Sequence, residues 1–339
     1  NTGVENTLVG GLSGDALTTG HSNVALGFES LSGEDTGRKS VAIGHAALRL
    51  QNNDTDNFNA AVGFEAGKNV STGVQNTILG ANAGDSMTSA NDNTALGYLA
   101  LRTQSSGSRN VAVGRSALQL ANITTVTDTY NTAVGGIAGL NVSSGVQNTL
   151  IGGQAGDGIT TGGANICVGY NADASANNGN DQIVIGTGIT GGGNSTVRFG
   201  NTGGTATLSL DGSDTSWAAA SDERLKKDIA DSTVGLSFIN ALRPVTFKWN
   251  AKDAVANTLP QYDADSSDPV YGVGKAHHGF IAQEVKTVID ANSDVVDGHN
   301  IWVEDPDGTQ QVAPAALIPM LVKAIQELSA EIETLKSGG

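Results

Sequence analysis

The stretch Asn23–Gly27, NVALG, recurs along the first 200 residues and decides the fold of that part of the chain. Similar pentads end on a glycine at Gly10, Gly27, Gly44, Gly63, Gly80, Gly97, Gly114, Gly135, Gly152, Gly169, Gly186 and Gly200. Most of these glycines are 17 residues apart, two intervals are 19 and 21, and the last is 14. A short strand closed by a tight glycine turn at a fixed period predicts a β-solenoid or β-roll.

The alternation within each pentad predicts two different faces. The first and third residues after the asparagine point to one side of the strand, and the second residue points to the other. The third is Val, Leu or Ile, and the second is usually Ala, as in Ala25 and Ala42. Both faces are therefore apolar or small, which indicates burial on both sides. A thin coil has one interior, so we infer that the second face packs against identical, parallel rods.

A longer period overlies the short one. The sequence from Gly3 returns from Gly73 and from Gly145, which indicates blocks of four units. The two long units, Gly44–Gly63 and Gly114–Gly135, occupy corresponding places in their blocks. Insertions in a solenoid emerge on one side, so both are candidate receptor-binding loops on the same edge. The alternative is a simple variation in unit length.

The composition changes at SWAAASDERLKKDI, residues 216–229. All six prolines follow this stretch, whereas 38 of the 46 glycines precede it. The change predicts a mainly β protein with a solenoid shaft at 1–202, a linker at 203–220 and a small α+β domain at 221–339. Within that domain, NIWVEDPDGTQQV predicts a hairpin.

The C-terminal segment predicts an amphipathic helix with a coiled-coil seam. Its apolar residues follow the spacing 3, 4, 3, 4, 3 and are Ile318, Leu321, Ile325, Leu328, Ile332 and Leu335. Such a heptad pattern predicts association between helices, and isoleucine at a with leucine at d would favour a dimer in a free coiled coil. Pro319 is suited to the first turn of this helix.

Charge and cysteine content exclude several classes of protein. The formal net charge is −16, so nucleic acid and anionic membranes would be repelled. No apolar run reaches the length of a membrane span. Cys167, the single cysteine, stands where other units have Ala, Leu or Ile, which indicates a buried apolar role.

The repeats resemble the head repeats of trimeric autotransporter adhesins and similar repeats of phage tail fibres. The resemblance lies in the pentads and in the following GHAAL, GRSAL and GFEAG. It implies a trimer of β-rolls. The 17-residue period is longer than the usual head repeat.

The C-terminal part resembles the intramolecular chaperone auto-processing domain, of the endosialidase type, of phage tailspikes and tail fibres. The segments that carry the resemblance are SDERLKKDI, ALRPVTFKW, HHGFIAQEV and LIPMLVKAIQELSAEIETL. It implies a homotrimer in which the domain guides folding of the shaft and then releases itself by self-cleavage. It further implies a virion tail fibre that meets a host-surface glycan or protein, with the chaperone domain released in the host cytoplasm.

The residues alone leave the role of Ser221 open, because a serine followed by Asp222 and Glu223 is typical of a helix N-cap. The resemblance implies that Ser221 is a nucleophile attacking the carbonyl of Ala220. Lys226 would be the general base, which requires burial to lower its pKa. On a regular helix Lys226 lies off the face of Ser221, so Ser221 must precede the helix or the lysine must reach across chains.

Three further residues belong to this hypothesis. Lys227 is a second candidate base. His277 takes the position of the family's functional histidine, with the adjacent His278 as the alternative. No carboxylate or cysteine stands at ligand spacing from this pair, so we predict neither a metal nor a cofactor.

Two other classes of protein remain as alternatives. The first is a bacterial trimeric surface adhesin whose C-terminal domain is a trimerisation cap that does not cleave. The second is a glycan-degrading tailspike, which is weakly supported because no paired-carboxylate cleft is recognisable in the repeats.

Overall fold

The computed structural model divides the chain into two compact units, Asn1–Asp222 and Glu223–Gly339. It describes residues 2–125, 127–210, 218–219, 222–271, 274–295, 301–305 and 307–338. Each unit has its own hydrophobic core.

The first unit is a β-solenoid, as the repeats predict. Its parallel strands are β1 (Thr7–Val9), β2 (Val24–Leu26), β3 (Val41–Ile43), β4 (Ala60–Val62), β5 (Thr77–Leu79), β6 (Thr94–Leu96), β8 (Val111–Val113), β10 (Thr132–Val134), β11 (Thr149–Ile151), β12 (Ile166–Val168), β13 (Ile183–Thr187) and β14 (Thr196–Asn201). A short second pair, β7 (Gly107–Ser108) and β9 (Thr127–Asp128), is also parallel. Each strand pairs with the next in register, so equivalent residues of successive units stack along one axis.

The middle residue of each strand lies inside the coil. Ala25, Ala95 and Ala133 are fully buried there, and the larger Ile78 and Leu150 occupy the same position at the starts of blocks. Leucines of the turn regions, Leu31, Leu48, Leu101 and Leu118, complete the core. The predicted assignment of one strand face to the interior is therefore confirmed.

A ladder of buried asparagines runs beside the strands. Its members are Asn6, Asn23, Asn59, Asn76, Asn93, Asn110, Asn131, Asn148 and Asn165. Typically the side-chain oxygen accepts the backbone N–H of the next member, as Asn76 Oδ1 accepts from Asn93 at 3.0 Å. The side-chain amide donates to a carbonyl one turn further on, as Asn76 Nδ2 donates to Ala90 at 2.8 Å. The ladder thus satisfies backbone groups that the short strands leave buried.

The first long unit repairs a break in this ladder. Ser40 takes an asparagine position, and its hydroxyl is too short to reach the next coil. Gln51 fills the gap, because its amide donates to Ser40 Oγ at 2.8 Å and its oxygen accepts from Asn59 at 2.9 Å. The same amide lies 3.0 Å from a carboxylate oxygen of the buried Glu34. Gln51 therefore supplies a substitute rung.

The parallel array ends in an antiparallel hairpin. β15 (Gly204–Ser209) returns along β14, and β16 (Ala218–Ala219) pairs with β15. Both strands lie within the segment 203–220 that the composition predicts as a linker, so the sheet continues through its described part. Residues 211–217 and Ala220 lie outside the described residues.

The second unit is an α+β domain, as predicted. Its elements are α1 (Leu236–Ala241), β17 (Val245–Phe247), β18 (His277–Gly279), α2 (Ala282–Asp290), β19 (Trp302–Glu304), β20 (Gln310–Val312) and α3 (Ile318–Ser337), with 3-10 turns at Glu223–Leu225, Lys252–Ala254 and Pro314–Leu317. β17 pairs antiparallel with β18, and β19 with β20, which confirms the predicted hairpin. Phe238, Val285 and Ile301 are buried at the centre of this unit.

Helix α3 has two apolar faces with different surroundings. Met320 and Ala324 are buried against the domain, where α3 contacts α1. The six residues of the predicted heptad seam are all exposed in the single chain, including Ile325 at 66% and Leu328 at 42%. Pro319 lies in the first turn, as predicted.

Candidate functional site

The predicted cleavage junction directly follows the last strand of the shaft sheet. β16 ends at Ala219, one residue before the predicted scissile bond. Ala220 and Ser221 themselves lie outside the described residues. The chain resumes at Asp222 and forms the 3-10 turn Glu223–Leu225, which buries none of its residues.

The two candidate general bases lie on the exposed segment after this turn. Lys226 is exposed, and its backbone N–H donates to the carbonyl of Glu223 at 3.0 Å. Lys227 pairs with Asp228 at 3.6 Å on an almost fully exposed surface. Both side chains are exposed here, so the burial that the proposed general base needs must come from surroundings beyond this segment.

His277 lies in an aromatic cluster of the second unit. β18 places it opposite Phe247, and the two rings stack with centroids 5.6 Å apart. Trp249 approaches the same imidazole with a centroid distance of 6.3 Å. Tyr271 packs edge-on against Trp249 at 4.8 Å. The imidazole is thereby held between aromatic rings.

The buried nitrogen of His277 distinguishes it from its neighbour. His277 Nε2 is buried and has no hydrogen-bond partner among the described residues. His278, which follows on the opposite face of β18, is exposed. A buried nitrogen without a partner costs free energy unless something supplies one, so His277 is the more constrained of the two histidines.

A cavity of about 690 Å³ adjoins the aromatic cluster. Phe247, Trp249 and Tyr271 form part of its wall, and the β20 residue Val312 closes another part. Its apolar walls could hold small side chains of an extended peptide. His277 is predicted from the sequence, whereas these aromatic residues are not. The alternating apolar positions of VTFKW were the available signal, because alternation places Phe247 and Trp249 on one face of a strand.

The outer face of the shaft carries a continuous apolar stripe. The third residue of successive strands points outward, and Leu26, Leu79 and Ile151 are exposed there. Beside them, Phe28, His45 and Phe64 stack on consecutive coils with ring centroids 5.6 and 5.1 Å apart. The single chain therefore leaves uncovered the face that the sequence predicts to be buried.

The two long units add polar contacts at one margin of this face. Asp56 of the first long unit pairs with Arg38 of the preceding coil, and β9 of the second long unit pairs with β7 of the preceding coil. The extra residues therefore connect back to the preceding coil at their ends. Whether they bind a receptor stays a prediction.

Within the described ranges, no group of three His, Cys, Asp or Glu side chains is arranged to hold a metal ion. Of the helices in the described part of the chain, none is long and apolar enough to cross a membrane.

Comparison with known proteins identifies the second unit. Residues 221–294 match the model of a peptidase family described as chaperone of endosialidase. The match spans about a fifth of the chain and includes the segments from SDERLKKDI to HHGFIAQEV. No curated protein and no solved structure gives a significant match.

Proposed function

Because residues 221–294 are a chaperone-of-endosialidase domain placed after a β-solenoid shaft, we propose that this chain is part of a self-processing phage tail fibre or tailspike. The C-terminal domain brings three chains together, sets the register of their shafts, and then cuts itself off between Ala220 and Ser221. The family match and the strand order together show a chaperone-of-endosialidase domain joined to a β-solenoid shaft.

The observation that carries the proposal is the pair of uncovered apolar surfaces on one chain. The outward stripe of the shaft and the heptad seam of α3 are both exposed in the single chain. Soluble proteins seldom leave such large surfaces in water, so partner copies are expected to cover both. A heptad seam fits a parallel bundle of helices. The number of helices is taken as three because the matched family implies a trimer.

Register explains why such a shaft would need a chaperone. Each coil resembles its neighbours, so chains can associate out of step at many offsets with little loss of contact. A trimer formed first by the C-terminal domain aligns the three chain ends before the coils pack. Removal of that domain afterwards means that an unfolded shaft can no longer be guided to refold. The persistence of the shaft then depends on its slow rate of unfolding.

The proposed chemistry is a single turnover of serine peptidase type. The Ser221 hydroxyl attacks the carbonyl carbon of Ala220 while Lys226 takes its proton, and the Ala220–Ser221 C–N bond breaks as Lys226 passes that proton to the departing Ser221 nitrogen. Water then hydrolyses the resulting ester, which frees the Ala220 carboxylate and restores the Ser221 hydroxyl. The Lys226 amine must first be deprotonated, and trimer assembly would provide the required burial. The buried Nε2 of His277 is available for a hydrogen bond with a group that a partner chain supplies when the trimer assembles. Small residues before the bond allow the strand to enter a narrow site.

The mass of the purified product under denaturing conditions tests this proposal. The parent chain of 34.3 kDa should yield two pieces, one ending at Ala220 and one beginning at Ser221. The S221A variant should stay intact, while the control S216A should be processed like the parent. Intact parent chains that still form a trimer would instead support a non-cleaving adhesin cap.

The general base is tested in the same assay. K226A should remain uncleaved but trimeric, and K227A should be cleaved, if Lys226 is the base. Normal cleavage of K226A would transfer the role to Lys227 or His277.

A further inference from the structure

One row of side chains on the shaft has no part in folding or cleavage. In every coil the residue before the ladder position has a left-handed backbone and points outward. In five successive coils these residues are Phe58, Gln75, Asp92, Arg109 and Tyr130, all of them exposed. We call these five residues the spine row. In-register stacking places them one strand spacing apart, so Phe58 and Tyr130 are roughly 19 Å from each other.

Both ends of the spine row carry the same arrangement of groups. At the first end, Lys39 Nζ lies 5.1 Å from the centre of the Phe58 ring and 2.7 Å from Asp56. The hydrogen bond from Lys39 lowers the pKa of Asp56, which therefore stays ionised at neutral pH. An exposed ring, a carboxylate and a cation thus meet at one point.

The other end repeats this arrangement with different residues. The Arg109 guanidinium lies 5.7 Å from the centre of the Tyr130 ring. It donates to the Tyr130 hydroxyl at 2.6 Å and pairs with Asp128. The sequences DNF and DTY differ, yet both place an acid two residues before an aromatic. Only the two long units produce this arrangement in the described array.

The aromatic residues are poorly placed for stability. Phe58 is 53% exposed and Tyr130 is 49% exposed, so each ring gains little from burial. Both have φ of 51°, a left-handed conformation that bulky residues seldom adopt. The other coils use small, polar or charged residues here, such as Ser22 and Gln147. An exposed aromatic side chain at a position that other coils fill with small, polar or charged residues points to a function rather than to packing.

The chemistry of the row selects the class of ligand. A ring face packs against the apolar C–H face of a pyranose. Beside the ring, the carboxylate accepts hydrogen bonds from the sugar hydroxyls, and the cation donates hydrogen bonds to them. Gln75 and Asp92 offer further polar partners between the two rings. Three of the five side chains are polar or charged, whereas the buried centre of a protein interface is depleted in charged residues. The net charge of −16 opposes nucleic acid.

We propose that the spine row binds a linear, neutral oligosaccharide that lies along the shaft and stacks on Phe58 and Tyr130. A neutral sugar is favoured because both cations are already paired with carboxylates and Asp92 repels anions. The two rings are held on one rigid shaft. An oligosaccharide long enough to contact both of them therefore binds more tightly, by multivalency, than one that reaches a single ring. The proposal specifies the host-attachment part of the proposed function and is independent of self-cleavage.

Binding of the processed protein to an array of linear hexopyranose oligosaccharides of graded length tests the proposal. The parent should bind oligosaccharides that span both rings and should bind the monosaccharides much more weakly. F58A and Y130A should each weaken binding of the long ligands by about tenfold. The matched control is D181A, which truncates an exposed side chain at the same position of a coil beyond the row and should bind like the parent.

Three outcomes would overturn the proposal. One is equal binding by the parent and the F58A/Y130A double variant. Another is absence of binding to every oligosaccharide by a parent protein that cleaves and assembles normally. The third is loss of the oligomer in the double variant, seen by size-exclusion chromatography, which would assign the row to contact between copies. Self-cleavage should be normal in all of these variants, so failure here is distinguishable from failure of the proposed function.

Discussion

The side-chain amide of Asn148 donates to Oδ1 of Asn131 over 3.1 Å, and the same oxygen accepts the backbone N–H of Asn148 over 3.0 Å. Asn148 also donates to the carbonyl of Gly162 and accepts from Asn165. One buried side chain therefore joins three successive coils. Neighbouring coils are connected by polar contacts as well as by strand pairing.

Replacing Asn148 with alanine should destabilise the shaft strongly. The change leaves the Gly162 carbonyl and the Asn165 N–H without their buried partners, and each unsatisfied group costs roughly 1–3 kcal/mol. We expect the free energy of unfolding of the processed shaft to fall by about 3 kcal/mol, measured by denaturant unfolding. The exposed Asn52→Ala is the control and should change little. Equal stability of the two variants would show that the ladder bonds contribute no net stability.

The adjacent glycines Gly135 and Gly136 give a matched pair. Gly135 has φ of 140°, and a Cβ there would collide with the backbone of Gly152 on the next coil. Gly136 has no atom within 4 Å of an added Cβ. We expect Gly135→Ala to lower the melting temperature sharply, at a cost of about 3 kcal/mol. Gly136→Ala should be neutral or slightly stabilising, by less than about 1 kcal/mol. Similar melting temperatures would contradict the close approach of successive coils.

The heptad seam of α3 should control assembly and cleavage together. Ile325→Asp with Leu328→Asp places carboxylates in the proposed apolar interface, where each buried polar group costs roughly 2–7 kcal/mol. We expect trimer yield and cleaved product to fall in parallel, measured by size-exclusion chromatography and denaturing mass spectrometry. The control Gln326→Asp with Ala330→Asp adds the same charge away from the seam and should assemble. Full cleavage without trimers would show that cutting does not require assembly.

Cys167 should be a probe of the folded shaft. The thiol is buried in the core, and burial raises its pKa to about 12, so almost no thiolate exists at neutral pH. The raised pKa means that alkylation by iodoacetamide should become appreciable only as the pH approaches 12 or as the shaft unfolds. Mass spectrometry should show unmodified protein at pH 8 and complete modification in denaturant. Rapid modification of the native protein at pH 8 would mean that the coil around Cys167 opens readily.

Local patterns in the sequence predicted the shaft well. Each recurring pentad became a strand in register with the next, because Asn23–Gly27 and its relatives carry both the alternation and the glycine turn. The composition break at 216–229 coincides with the division after Asp222. In contrast, β15 and β16 lie in a segment that composition predicts to be a linker. Their pairing is a tertiary contact that no local pattern in GTATLS or in the alanine run indicates.

The functional residues were harder to predict, for two physical reasons. The partners of His277 come from segments some 30 residues away, so a family resemblance can identify the histidine but not the rings around it. The spine row depends on stacking of coils, which converts residues 17 to 21 positions apart into neighbours. Phe58 and Tyr130 therefore appear unrelated until the strands are placed in register. Ser221 and Ala220 stay predictions because they lie outside the described residues.

The ladder and the in-register strands make shaft length an adjustable quantity. The first coil of each block presents an asparagine and a strand in the same register, so a block of four coils can be inserted or removed without creating a new kind of junction. Each such block changes the reach of the shaft by roughly 19 Å. The 70- and 72-residue offsets in this chain are what duplication of such a block would leave behind. A gene that duplicates or loses whole blocks could therefore tune how far a fibre extends while its folding domain stays the same.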